Sequence, residues 1–443
     1  MTSAAAYVQR AEAAWSWVLR QVRWDSEGPW IPESVVLDGP RATEPPELRT
    51  GLHSGIGGLA LVLAEIRLGR DWTGEEAELA AGIASQVRAR TATETEVSYF
   101  DGLVSALTVL LALGEPGADA VVARLLELAT GDGWATPWAG PPTYSDDARI
   151  NDVTLGTAGV LLGAVWALRV GVPGSADLAS CAAGVLLREA EETEHGPRWL
   201  FVPRRFRETP PTEMPGWSHG QAGITAALAV AGAVLDRHDL RDAARGGAER
   251  LVAIGEHADG TFVVPRYVPQ LPSGDDPVSF GWCHGAAGTA QVFPALELAG
   301  VDDVAGRSPH AWGAAAWLAV RSSGLPERLE PGFWDNDGRC CGTAGVGDLA
   351  LDRWQRYGDE EDLRFARILG DALVARACGD DEHRWWQFVE HRAEQPLLDP
   401  GVGWMQGAAG IAAYLFRLGR VLEEGPDASA VQRTDSWWAV RPA

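Results

Sequence analysis

Lysine is missing from this chain of 443 residues: all 37 basic residues are arginine, a composition associated with high-GC bacterial genomes. Positive charge is scarce altogether, since 61 acidic residues bring the net charge to −24. That excludes a nucleic-acid ligand, because neutralising phosphates requires a basic surface. Long apolar runs are lacking too. No segment reaches the roughly 20 apolar residues of a membrane helix. The N-terminal stretch carries Arg10, Glu12, Arg20 and Arg23 on an amphipathic pattern with no apolar signal core. A cytoplasmic location is expected. Cysteine is limited to five residues, and a reducing cytosol favours free thiols over disulfides.

Three of those five cysteines stand in two short glycine-flanked loops. Cys283 lies in Gly281-Trp282-Cys283-His284-Gly285, and the adjacent pair Cys340-Cys341 lies in Arg339-Cys340-Cys341-Gly342. Thiolates favour zinc, and three protein ligands leave a fourth tetrahedral position open, as in a catalytic site. The alternative for all three is a small buried core residue. Cys181, in an Ala-rich helix, and Cys378, near a helix end, read as core or surface residues.

The two loops belong to a wider repeat. A small-residue motif followed by an apolar stretch has its leading glycine at 55, 102, 156, 220, 285, 342 and 407. So regular a recurrence marks a repeat architecture. Each motif opens a nearly all-apolar run that reads as a buried helix. Between these runs lie amphipathic helices, expected over residues 75–90, 118–129, 240–254 and 361–377, with a first one over 5–23. The reading is all-α: a closed α/α toroid of seven inner and seven outer helices, one domain over 1–443. Loop elaborations are expected at about 131–151 and 194–216.

These residues together resemble the lanthionine synthetase C-like (LanC-like) cyclases, through the Trp-Cys-x-Gly and Cys-x-Gly loops at 282–285 and 340–342 and the glycine motifs along the whole chain. The resemblance implies an α,α-barrel with one Zn2+ per chain at its mouth, and addition of precursor-peptide cysteine thiols to dehydroalanine or dehydrobutyrine, giving thioether rings. Carried across by motif, the zinc ligands are Cys283, Cys340 and Cys341. Cys341 stands where the family more often has His, which makes this a three-cysteine variant. A third thiolate leaves the site more anionic and the substrate thiolate more electron-rich.

Thiol addition leaves an enolate that must be protonated at Cα, so an acid is required. His219, in Gly216-Trp217-Ser218-His219-Gly220, occupies the same place in its repeat as His284 does in the cysteine repeat, and imidazole titrates near working pH. It matches the family's catalytic histidine. Asp152 matches the aspartate that assists it, and His284 follows Cys283 where the family commonly has Tyr. The competing readings are backbone hydrogen bonding for His219 and helix N-capping for Asp152. His53 reads as a cap or packing residue. Trp217, Trp282 and Trp404 precede cavity loops and are candidates to line a peptide-binding mouth.

Arg198, Arg204, Arg205 and Arg207 sit together on a loop or short strand, followed by the Pro-rich stretch 209–215. Either they meet an acidic leader peptide or a dehydratase partner, or they form local ion pairs. The resemblance implies a precursor peptide with dehydrated Ser and Thr as substrate, and a separate dehydratase or kinase/lyase to prepare it. Other readings are addition of glutathione or another small thiol to dehydroamino acids, a docking scaffold without catalysis, and another α/α toroid such as a prenyltransferase β-subunit or a glycosidase. The adjacent cysteine pair fits neither of these last two well.

Overall fold

Apolar residues at helical spacing start most of the elements, and the chain alternates between two kinds of helix. The computed structural model describes residues 2–37, 39–207, 212–271, 277–327, 336–390 and 397–440. Its helices are α1 (Ala4–Leu19), α2 (Leu59–Gly69), α3 (Gly74–Thr91), α4 (Leu103–Leu113), α5 (Ala118–Leu128), α6 (Thr157–Arg169), α7 (Ser175–Glu189), α8 (Gln221–Val234), α9 (His238–Ile254), α10 (Ala286–Thr289), α11 (Val292–Leu298), α12 (Pro309–Arg321), α13 (Thr343–Tyr357), α14 (Glu360–Arg376) and α15 (Ala408–Glu424). The inner helices pack in the order α2, α4, α6, α8, α10–α11, α13, α15 and back to α2. The seven others form the outer layer, in which α1, made first, lies against α15, made last. This is the α/α toroid expected from the glycine repeat. Its fifth inner helix is broken in two, because Pro294 has no N–H to give to the Ala290 carbonyl.

The two layers start their helices differently. Four outer helices use side-chain caps: Ser3 on α1, Thr73 with Glu76 as a capping box on α3, Ser308 on α12 and Asp359 on α14. The inner helices instead receive backbone carbonyls from seven residues earlier. Thr157 and Ala158 donate to Ile150 and Asn151, Gln221 and Ala222 to Met214 and Pro215, and Ala408 and Ala409 to Gly401 and Val402. The preceding loop must therefore fold tightly over the helix end. A Cβ on Gly220 would lie 1.5 Å from the Met214 oxygen, and one on Gly288 would lie 1.8 Å from the Trp282 oxygen. The repeated glycines are required by this close approach.

The seven loops are also tied to one another. Backbone N–H groups of Tyr99, Thr154, Ser218, Cys283, Cys340 and Met405 donate to the carbonyls of Thr154, Ser218, Cys283, Cys340, Met405 and His53, at 2.8–3.3 Å. Leu52 N–H to the Phe100 carbonyl completes a closed circuit around the toroid axis.

Five two-stranded hairpins occur among the described residues. The first, β1 (Arg23–Asp25) with β2 (Gly28–Trp30), takes Arg23 out of the helix expected over 5–23, which ends at Leu19. Two more, β3 (Glu191–Thr193) with β4 (Gly196–Arg198) and β5 (Glu256–Ala258) with β6 (Thr261–Val263), likewise follow outer helices. Beyond α15 the chain turns at Gly425, with φ of 87°. It then re-enters the toroid from the end opposite the loops. There Arg433 meets Asp348 at 3.1 Å, Thr434 meets Thr108, and Asp435 reaches Tyr99 and Trp282 in the loops. Asp348 also binds Arg339 and Arg417, and the three guanidiniums overcome burial to hold its carboxyl well below the usual range. The toroid axis is thus filled by a buried ionic network and not by an open channel.

Candidate metal centre and active site

Cys283 and Cys340 are consecutive members of the backbone circuit, joined by the Cys283 N–H to the Cys340 carbonyl. This brings three sulfurs to one side of the mouth. Cys283 Sγ is 3.1 Å from Cys341 Sγ, and Cys341 Sγ is 3.4 Å from Cys340 Sγ. All three ligand atoms lie within 4.8 Å of one another, and among the described residues no His, Asp or Glu joins them. Hydrogen bonds from Cys340 and Cys341 push the Cys283 thiol well below its ordinary value, against burial and with help from His284 and His219. Cys341 is pushed up by its hydrogen bonds with Cys283 and Cys340 and by burial. Three converging soft thiols, one of them poised to ionise, form a donor set suited to zinc. Cys181 and Cys378 are not part of the group.

Beside the sulfurs stands a histidine–carboxylate pair. Asp152 is fully buried, and its Oδ2 lies 2.7 Å from His219 Nδ1. Thr154 Oγ1 is 2.9 Å from the same carboxylate oxygen and 3.1 Å from the same ring nitrogen. The other oxygen, Oδ1, accepts the Leu155 N–H at 2.7 Å. Asp152 therefore closes the turn before α6 and holds His219 at once; the N-cap of α6 itself is Gly156. Burial opposes the imidazolium, but the Asp152 carboxylate outweighs it, so His219 titrates above its usual value. The His284 ring is 5.4 Å from that of His219, centroid to centroid, and 6.5 Å from Tyr267. Phe201 packs edge-on against His219 at 5.6 Å.

Several sequence expectations are redirected. Trp217, Trp282 and Trp404 are buried beneath the loops and do not line the mouth: Trp217 packs against Trp438, Trp282 Nε1 donates to Asp435 at 3.1 Å, and Trp404 lies under Arg339. His53 packs edge-on against Phe100, with Nδ1 2.8 Å from Ser54 Oγ. Burial lowers its pKa to about 4, although the nearby Cys283 opposes that shift. The arginine-rich connection is engaged in local ion pairs. Arg198 binds Glu191 and Glu213, Arg204 binds Glu191, and Arg205 binds Glu189 and Asp132. Arg207 lies over the Tyr144 ring. Of the Pro-rich stretch, 209–211 lies outside the described residues. The elaborations at 131–151 and 194–216 pack on each other through Ala139, Ala148, Ile150, Val202 and Phe206, and so brace the loop that carries Asp152. Tyr267 and the axial residues Arg433 and Asp435 escaped sequence reasoning, because no motif or spacing singles them out.

A profile of the lanthionine synthetase C-like protein family matches residues 46–299, more than half of the chain. The chain belongs to this family. The matched range holds Asp152, His219, Cys283 and His284 and ends before the Cys340-Cys341 pair. Among solved structures, this LanC-like chain is similar to nisin cyclase at 14% identity and a TM-score of 0.61, over 88% of this chain and 92% of that one. It is also similar to a GH76 α-mannanase of Bacteroides thetaiotaomicron, at 11% identity and a TM-score of 0.51, over 94% of this chain and 96% of that one. Both likenesses are of fold. No curated protein sequence matches the chain.

Proposed function

We propose that this LanC-like chain is a stand-alone zinc-dependent cyclase, one toroid unit over 1–443, acting in the cytoplasm. It adds cysteine thiols of a precursor peptide to dehydroalanine or dehydrobutyrine and closes (methyl)lanthionine rings. The observation that carries this reading is the meeting of three thiols and a carboxylate-held imidazole at one mouth. Cys283, Cys340 and Cys341 would hold the zinc, which supplies Lewis acidity that lowers the pKa of an arriving thiol. With Nδ1 committed to Asp152, His219 Nε2 is the ring atom left to deliver a proton to Cα of the enolate. Asp152 fixes that tautomer and favours the protonated ring. His284, beside His219, is placed to contact the peptide or share the proton. The dehydrated Ser and Thr would come from a separate dehydratase or kinase/lyase.

Metal content and ring closure on a dehydrated peptide test the reading together. The wild-type protein should hold about one zinc per chain; Cys340→Ala and Cys341→Ala should each lose metal and cyclisation. Full zinc occupancy in a Cys283→Ala, Cys340→Ala double variant would overturn the site. Cys341→His should keep zinc but slow thiol addition, because one anionic donor is replaced by a neutral one. Running the assay with glutathione in place of the peptide thiol separates ring closure from small-thiol addition.

A further inference from the structure

Most arginines of this acidic protein are paired with carboxylates, but three that converge on one cavity are not. The cavity, of about 560 Å3, lies between the C-terminal end of α1, the segments 32–37 and 39–42 and the turn at 380–385. Arg20, Arg23 and Arg41 line it, and none of them makes an ion pair among the described residues. Arg20 instead reaches His383 Nε2 at 3.2 Å, and Arg23 donates to the backbone carbonyls of Arg20 and Val22. Burial, and after it the charge of Arg41, disfavours the Arg23 cation. One carboxylate lines the cavity, that of Asp380; its Oδ1 accepts the N–H groups of Glu382 and His383 and lies 3.8 Å from His383 Nδ1. Trp17 and Trp385, stacked at 6.0 Å, form an apolar wall. The uncompensated charge is therefore positive, in a protein whose net charge is −24.

The cavity is tied to the mouth by backbone. Val35 N–H donates to the Pro400 carbonyl and Val402 N–H to the Glu33 carbonyl, and the chain beyond Val402 runs to Met405 in the circuit of loops. We propose that the Arg20–Arg23–Arg41 cavity is the docking site for an acidic segment of the substrate peptide, its carboxylates meeting the three guanidiniums. The site rests on the cyclase reading for its place in the reaction, but its chemistry stands on the unpaired arginines alone. Charge complementarity selects the occupant: carboxylates near these groups relieve the repulsion between Arg23 and Arg41 and gain charge-assisted hydrogen bonds.

Calorimetric titration with an uncharged-terminus, Glu-rich peptide lacking Ser, Thr and Cys tests the site without any chemistry. The wild-type protein should bind at about 20 mM salt and lose most of that binding at about 500 mM. The triple variant R20Q, R23Q and R41Q should bind at least about tenfold more weakly. Arg41→Gln alone breaks no hydrogen bond or ion pair among the described residues and should still bind about threefold more weakly. Arg204→Gln with Arg205→Gln, on the self-neutralised connection, should bind as wild type. Equal binding by wild type, the triple variant and Arg41→Gln overturns the site. Tighter binding of inorganic phosphate than of the peptide overturns the carboxylate assignment. Zinc content and thiol addition on a short dehydrated peptide without acidic residues report on the cyclase reading separately, and the triple variant should leave both unchanged.

Discussion

Asp152 uses its two oxygens for two tasks, one on the Leu155 N–H and one on His219 Nδ1, and this division makes separable predictions. As the general acid, His219 must be protonated, so cyclisation should fall as pH rises through its pKa. Burial lowers that pKa, and the hydrogen bond and charge of Asp152 together outweigh it, for a net rise. Asp152→Asn should therefore move the falling limb of the pH–rate profile to lower pH, while zinc content stays intact. A limb that does not move would leave Asp152 with the turn alone. His219→Asn should retain zinc and lose roughly two to four orders of magnitude in rate, the usual contribution of a positioned acid. The same ion pair stabilises the fold below the free imidazole range, and that contribution disappears as pH climbs through the raised value. Cys283, Cys340, Cys341, His219 and Asp152 were legible because each lies at a fixed offset from a motif glycine. The fate of Trp217, Trp282 and Trp404 was not: offset gives the loop, but which way a side chain turns depends on Asp435, Trp438 and Arg339, all remote in sequence.

Among elements, the inner helices are defined by their starts. The loop that caps each one with carbonyls from seven residues back leaves no room for a methyl group at its motif glycine. Gly220→Ala should therefore destabilise by roughly 3 kcal/mol or more, the level reached when backbone must shift. Gly184, in the middle of α7, would place its Cβ against nothing nearer than the Arg188 side chain at 3.4 Å. Gly184→Ala should stabilise by about 0.5–1 kcal/mol through helix propensity. Thermal unfolding of the two variants checks both signs. The helix periods were legible because the expected outer spans differ from α3, α5, α9 and α14 by at most two residues. Two features were not. Pro294 breaks the fifth inner helix inside an apolar run, and β1 takes Arg23 from a pattern that reads as helix.

For the whole molecule, the circuit of backbone hydrogen bonds ties every loop to two others. No repeat can open without breaking links on both sides. The amides of Tyr99, Thr154, Ser218, Cys283, Cys340 and Met405 should thus exchange with solvent at similar, slow rates set by global unfolding. Hydrogen-exchange mass spectrometry would contradict this if one loop exchanged about 100-fold faster than its neighbours. The toroid was legible from the count of motifs. Its filled axis was not, because the segment after Gly425 carries no repeat and its charges find partners only inside the finished ring.

That α1 rests on α15 fixes when the molecule can be completed. Tyr7 bonds Asp371, and the apolar face of Tyr7, Ala11, Ala14 and Val18 is covered by α14 and α15, which are made long after it. At about 5–20 residues per second, a ribosome takes roughly 20–80 s to travel that distance. Throughout that interval the first helix has been made and its partner has not. The nascent chain carries an uncovered apolar surface from its first turns to its last, so the yield of folded protein should depend on chaperones or slow translation more than on the stability of the finished ring.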